Sequence, residues 1–189
     1  MYKTLIRPVL FKFNPEVAHN LTLNGLKVLR RIPFARNIVR LIYKREHPNL
    51  EREVFGIKFP NPVGLAGGLD KNGEVYNELS DFGFGFVEIG SLTAKPQPGN
   101  PKPRLFRVVK DKAIINRMGI NNHGVTQAIR NINSNHPRVI IAGNIAPNSS
   151  SQGEQVTEDY KTAFSLLYDF VDMFVINISC PNVVGLTSL

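Results

Sequence analysis

From residue 51 onward, short apolar runs alternate with stretches of helical periodicity, and this alternation restricts the fold more than any other feature of the chain. Val63-Gly64-Leu65, Phe86-Val87-Glu88-Ile89, Val139-Ile140-Ile141-Ala142 and residues 173–178 read as four strands. Residues 74–82, 122–133 and 156–168 read as helices between them. Strands joined through helices must run parallel, so the class is α/β. Val54-Phe55-Gly56-Ile57-Lys58-Phe59 predicts a short hairpin ahead of the first strand. Residues 105–109 and 113–115 predict a small antiparallel pair across Lys110-Asp111-Lys112, inserted after the second strand.

Polar residues gather at the carboxyl ends of the predicted strands. The first strand ends in Ala66-Gly67-Gly68-Leu69-Asp70-Lys71, the second in Gly90-Ser91-Leu92-Thr93 and the third in Gly143-Asn144. The fourth runs into Asn177-Ile178-Ser179-Cys180-Pro181-Asn182, which holds the single cysteine. In barrels and open α/β sheets, ligand and catalytic groups sit at these ends. Glycine lets backbone approach a flat or phosphorylated ligand. Asparagine offers both donor and acceptor to a heteroaromatic edge, and Lys71 brings a fixed positive charge. Each residue also has a plain reading: turn glycines, a surface lysine, strand-ending amides, and a thiol packed as a small hydrophobe. Four strand ends in agreement favour a site. One cysteine makes no disulfide framework and suits a reducing compartment.

The first quarter of the chain has a different character. Residues 1–50 hold 10 Lys/Arg against Glu16 and Glu46, whereas residues 51–189 hold 13 against 13, so the whole net charge of +8 lies in residues 1–50. Such asymmetry predicts a basic module attached to a neutral domain, divided as 1–50 and 51–189. Leu5, Ile6, Val9, Leu10 and Phe13 follow helical spacing, interrupted by Pro8. Asn14-Pro15 is a start signal for a helix reaching about Arg31, and Pro33 opens another. In that last helix Phe34, Ile38, Leu41 and Ile42 form a stripe, with Arg36, Arg40 and Lys44 toward the other side. A basic amphipathic helix suits an anionic membrane surface. A helical hairpin packed on its own domain with a solvated basic face fits equally well, and nucleic-acid binding lacks a recognition motif. No run reaches the roughly 18 apolar residues of a spanning helix. Met1-Tyr2-Lys3 is not followed by a signal-peptide core, so no secretion is expected.

Six stretches, taken together and in order, resemble dihydroorotate dehydrogenase. They are Gly64-Leu65-Ala66-Gly67-Gly68-Leu69-Asp70-Lys71, Glu88-Ile89-Gly90-Ser91-Leu92-Thr93, Lys95-Pro96-Gln97-Pro98-Gly99-Asn100, Pro103-Arg104-Leu105-Phe106-Arg107, Ile115-Asn116-Arg117-Met118-Gly119 and residues 177–182. Asn14-Pro15-Glu16-Val17-Ala18-His19 resembles the membrane-associated, quinone-dependent class. The resemblance implies a TIM (β/α)8 barrel with bound FMN, and a small helical domain lying on the membrane, peripheral and on the cytoplasmic side. It implies oxidation of dihydroorotate to orotate with quinone as acceptor, in pyrimidine (UMP) biosynthesis. No metal and no nucleic-acid partner are expected.

Carried over by position, Ala66, Gly67, Gly68, Leu69, Asp70, Lys71, Ser91, Asn144 and Asn177 match the cofactor-binding set. Lys71, Asn116, Arg117, Met118, Gly119, Ile120, Asn177 and Asn182 match the dihydroorotate/orotate site, and His19 and Arg107 match the quinone site. Cys180 matches the catalytic base, which takes the proton from C5 as a hydride leaves C6; a thiol does this as its thiolate. The quinone class usually has Ser at this position and the soluble class Cys, so the chain reads as a mosaic. A barrel needs about 250 residues. Only 139 follow residue 50, enough for four of eight strands, so an N-terminal fragment with an open sheet edge is expected. The alternatives are a related FMN barrel using a soluble acceptor, and a non-catalytic basic module.

Overall fold

Each predicted apolar run becomes a strand. In the computed structural model, which describes residues 2–183, the N-terminal region holds a π-helical turn (Tyr2–Ile6), α1 (Arg7–Leu10), α2 (Pro15–Leu29) and α3 (Ala35–Tyr43). The hairpin β1 (Arg52–Val54) and β2 (Ile57–Phe59) follows. Then come β3 (Gly64–Leu65), α4 (Tyr76–Ser80), β4 (Phe86–Leu92), the antiparallel pair β5 (Leu105–Val108) and β6 (Ala113–Asn116), α5 (Val125–Ser134), β7 (Ile140–Ile145), α6 (Glu154–Leu167) and β8 (Met173–Ile176).

The main sheet has the order β3-β4-β7-β8, parallel throughout. Spatial order equals chain order, so the sheet is wound in one direction. A doubly wound sheet reverses direction at a switch point, whereas a barrel never does. These four strands are therefore the first half of a (β/α)8 arrangement, and β3 and β8 form its two edges.

Alternation along the strands sends one set of side chains toward the helices. Val87 and Ile89 of β4 and Ile141 and Ile145 of β7 are buried with Tyr76, Leu79, Val125, Ala128, Ala163 and Leu167 from the helices. Burying such a side chain contributes about 1.5–3 kcal/mol. Leu23 and Leu26 of α2 join this same cluster, so the helical region packs into the barrel-side core.

Several boundaries differ from expectation for local reasons. Helix α4 starts at Tyr76 because both oxygens of the buried Asp70 carboxylate accept backbone N–H groups, from Glu74 and Val75 (2.8 Å each). Helix α5 starts at Val125 because the Asn122 side chain holds the N–H of Gly124 (2.8 Å). Strands β4 and β7 run longer than their apolar cores, because parallel pairing continues to Leu92↔Ile145. Gly90, Ser91, Gly143 and Asn144 therefore lie inside strands. Asn14 caps α2 as expected, accepting from the Glu16 N–H (2.9 Å).

Helix α3 corrects one expectation. Two of its three basic residues turn inward, while Lys44 stays exposed and pairs with Glu46 (2.5 Å). The Arg36 and Arg40 guanidiniums both bind the buried Asp81 carboxylate, and Arg36 also lies 3.8 Å from buried Glu78. Its apolar stripe points outward, with Phe34 77 % and Leu41 81 % exposed. The pattern is amphipathic as read, but relative to the packed-hairpin reading its inner and outer faces are exchanged: two buried acidic residues on the barrel select the Arg36–Arg40 side. No helix among the described residues is long and apolar enough to cross a membrane.

Candidate active site

The strand ends meet because β4 carries an irregularity. Pairing with β7 shifts register between Ile89 and Leu92, and Gly90 adopts a φ of +109° there. A Cβ at Gly90 would lie 2.5 Å from the Asn144 carbonyl oxygen, so only glycine fits. The Gly90 carbonyl accepts from the Gly68 N–H (2.8 Å), and the Gly90 N–H donates to the Asp70 carbonyl (3.0 Å). These two bonds dock the 66–71 loop across the second strand.

Above this junction lies a polar floor. Asn144 Nδ2 donates to the Glu88 carboxylate, while Asn144 Oδ1 is buried with no hydrogen-bond partner. A Cβ on Gly67 would come within 2.6 Å of Glu88 Oε1 and 3.4 Å of Asn144 Nδ2, so the missing side chain at 67 leaves the floor open. Asn177 Nδ2 donates to Ser91 Oγ (2.9 Å), joining the ends of β4 and β8. Tyr160 fixes the Asn177 backbone from α6 by donating to its carbonyl (2.6 Å).

Lys71 donates to the Gly68 carbonyl (2.7 Å). Burial, and then the Arg104 guanidinium, pull its pKa below the ordinary lysine value, while Cys180 and Glu16 oppose. Cys180, on the loop after β8, is half-buried. His19, on α2, is pushed below the usual histidine value by burial and then by the Lys71 charge.

The remaining sequence-derived residues divide by what they touch. Ala66 is exposed at the loop, but Leu69 packs on the core and the Asp70 carboxylate caps the turn before α4. Asn116 accepts from the Met118 N–H (2.9 Å), and Met118 and Gly119 are buried. Arg117 donates to the Pro103 carbonyl (2.9 Å) and lies over the Phe106 ring (5.3 Å). The Ile120 carbonyl accepts from Gln97 Nε2 (2.8 Å), and Asn182 is half-buried. Arg107 donates to the carbonyls of Phe13 (2.7 Å) and Leu10 (3.3 Å) and covers the Phe11 ring (4.5 Å), tying α1 to β5.

Three contributors escaped the sequence reading. Glu88 could have been noticed as a charge flanked by Val87 and Ile89 in a strand. The buried pair of Arg104 with Glu16 (2.8 Å) joins residues 88 apart in sequence, and Asn100 bonds two separate loops, so neither leaves a local pattern.

The residues fit a flavin on two counts: the orphaned Asn144 Oδ1 offers an acceptor to a ring N–H, and the bare Gly67 leaves room for a flat ring against the floor. Comparison with known proteins points the same way. The family model for dihydroorotate dehydrogenase matches residues 49–189. A protein of Christiangramia forsetii named dihydroorotate dehydrogenase (quinone) is 51 % identical over the whole chain, which covers 55 % of that relative. One of the same name from Methylococcus capsulatus is 42 % identical, with 54 % of it covered. A crystal structure of DHODH from Eimeria tenella in complex with ferulenol superposes with a TM-score of 0.77 at 36 % identity, over 91 % of this chain and 46 % of that one. The chain spans about half the length of the curated relatives it matches. With four strand ends gathered on one floor and a family match running from the hairpin through the Cys180 loop, the chain belongs to the dihydroorotate dehydrogenase family.

Proposed function

We propose that this chain forms the N-terminal half of an FMN-dependent dihydroorotate dehydrogenase that passes electrons to quinone in pyrimidine (UMP) biosynthesis. The observation that carries the reading is the convergence of Gly67, Ser91, Asn144 and Asn177 at the ends of four adjacent parallel strands, with Lys71 and Cys180 on the loops that follow β3 and β8. FMN, when bound, supplies the two-electron acceptor. Asn144 and the 66–71 loop would hold the ring, and Ser91 with Asn177 would fix its rim. Lys71 provides positive charge beside the ring and the carboxylate-bearing substrate. Asn116 and Asn182 orient the substrate amides, and the Cys180 thiolate accepts the proton at C5. Half of a barrel leaves the ring exposed on one side, so the fragment alone is expected to be inactive.

Quinone is supported by the relatives' names and by the outward apolar stripe of α3, which suits a peripheral position on the cytoplasmic face of the cell membrane. His19 and Arg107 then belong to the quinone path. Cys180 favours a second reading, a soluble acceptor, because the soluble class uses this residue as its base. The test is a continuous chain in which residues 1–189 are followed by the C-terminal half of the 51 % identical relative. This completed enzyme is expected to bind stoichiometric FMN, bleach with dihydroorotate and reoxidise with a quinone. A colourless folded protein overturns the cofactor, an unbleached flavin overturns the substrate, and reoxidation only by soluble acceptors overturns the quinone.

A further inference from the structure

We infer that Asn100 is a positioning residue that clamps the Cys180 loop to the 116–119 loop. Its Nδ2 donates to the carbonyl of Arg117 and to that of Asn182, both at 2.9 Å. A primary amide carries two N–H groups, and the two carbonyls take both. The Asn100 backbone N–H also donates to the Met118 carbonyl (2.9 Å), so the residue is seated on the 116–119 loop from two sides. Gly119 makes room for it: φ there is +63°, and a Cβ would sit 2.9 Å from the Asn100 amide.

The clamp matters because, among the described residues, few other hydrogen bonds hold the Cys180 loop. Among the described residues, Asn100 makes the only hydrogen bond that reaches 178–183 from a distant part of the chain; the others are the local Ser179-to-Asn177 and Val183-to-Cys180 bonds. Asn182 lies two residues beyond the thiol. Holding its carbonyl therefore sets where Cys180 stands relative to Asn116. Asn100 is itself anchored, since its carbonyl accepts from Arg104 Nη1 (3.0 Å) and Arg104 pairs with buried Glu16 of α2. The helical region is thereby connected to the base loop through the side chains of Glu16, Arg104 and Asn100. A base must stand within hydrogen-bond reach of its proton, and a displacement of about 1 Å can reduce the rate on the order of 100-fold.

Part of the test needs no catalysis. In the 189-residue chain the only thiol is Cys180, so its alkylation by iodoacetamide reports on this loop alone. Asn100→Ala removes both bonds. Asn100→Asp keeps the shape but replaces the donor with an acceptor facing two carbonyls. Both should alkylate faster, by roughly 5–30-fold if two bonds that hold the loop closed are lost. Unchanged alkylation in both, with unchanged circular dichroism, overturns the clamp. Wild-type behaviour of Asn100→Asp alone overturns it as well, since the site would then need only bulk. The catalytic arm rests on the proposed function and uses the completed enzyme. With full flavin content, both variants should reduce flavin with dihydroorotate about 10–100-fold more slowly. Wild-type rates in both variants would remove the positioning role. A wild-type completed enzyme that dihydroorotate does not bleach would overturn the functional reading, while the alkylation rates would still decide the clamp.

Discussion

The N-terminal helices and the half-barrel place charge in opposite ways. In the barrel, apolar faces of β4 and β7 meet the helices, and polar groups collect at the strand ends. In α3 the charged face is turned inward, onto Asp81 and Glu78, and the apolar stripe faces out. An amphipathic pattern states only that two faces differ. Which one is buried depends on the partner surface, and here two buried carboxylates decide it. Asp81 is the firmer anchor, since it accepts hydrogen bonds from both guanidiniums, whereas Glu78 lies 3.8 Å from Arg36 with neither oxygen hydrogen-bonded, and burial pushes its carboxyl above the ordinary range.

The largest expected effect tests the chemical side of the contrast. In the completed enzyme, Cys180→Ala should slow flavin reduction by about 10²–10⁴-fold with FMN content unchanged. Cys180→Ser should keep some activity, displaced to higher pH, because a hydroxyl is the weaker acid. Anaerobic stopped-flow against pH makes the measurement. Equal rates in wild type and Cys180→Ala at every pH would reduce the thiol to packing and leave the barrel end without its base.

Next in size is the ionic side. Removing one partner of a buried ion pair typically costs about 3–5 kcal/mol. Asp81→Ala strands Arg36 and Arg40, so denaturant titration should show a loss of that order, with faster amide exchange confined first to residues 35–43. A loss under about 1 kcal/mol would mean that α3 is held by something other than its arginines.

A smaller effect follows from Glu16. Hydrogen bonding to Arg104 holds its carboxyl below the ordinary glutamate value. A depressed folded pKa adds stability that is present above the unfolded value and is lost as pH falls through the lower folded value. Melting temperature should therefore fall below about pH 4.5 in wild type. Glu16→Gln should be less stable at neutral pH by about 1.5–3 kcal/mol and should lack that acid-side drop. Parallel pH curves for the two proteins would detach the helix from the Arg104 anchor.

Least is expected for stability on the outer face. Phe34→Ser with Leu41→Ser should change the folding free energy by no more than about 0.5 kcal/mol, since both side chains already face out. The same pair should weaken binding to anionic vesicles roughly tenfold or more, as apolar insertion is lost. Because Arg36 and Arg40 are committed to Asp81, much of the wild-type binding should survive added salt. Vesicle binding that vanishes with salt and ignores the double substitution would return the membrane reading to simple charge attraction.

Much of the fold was legible in the sequence. Local alternation fixed the four parallel strands, the hairpin and the inserted β5–β6 pair, because side-chain period is a property of consecutive residues. Asn14 and Pro15 announced α2 for the same reason. The glycines and amides at the strand ends pointed to the candidate site, and short motifs in order pointed to the family. What only the tertiary structure decided was relational. Asp70 and Leu69 stood in the motif as candidate cofactor residues; that the Asp70 side chain caps a turn and the Leu69 side chain packs on the core shows only in the fold, because a motif names a loop without saying which way each side chain turns. The inverted seating of α3, the Glu16–Arg104 anchor and the two bonds of Asn100 each join residues far apart along the chain. Such pairs depend on how the strands close and what surface they present, and neighbouring residues carry no record of either.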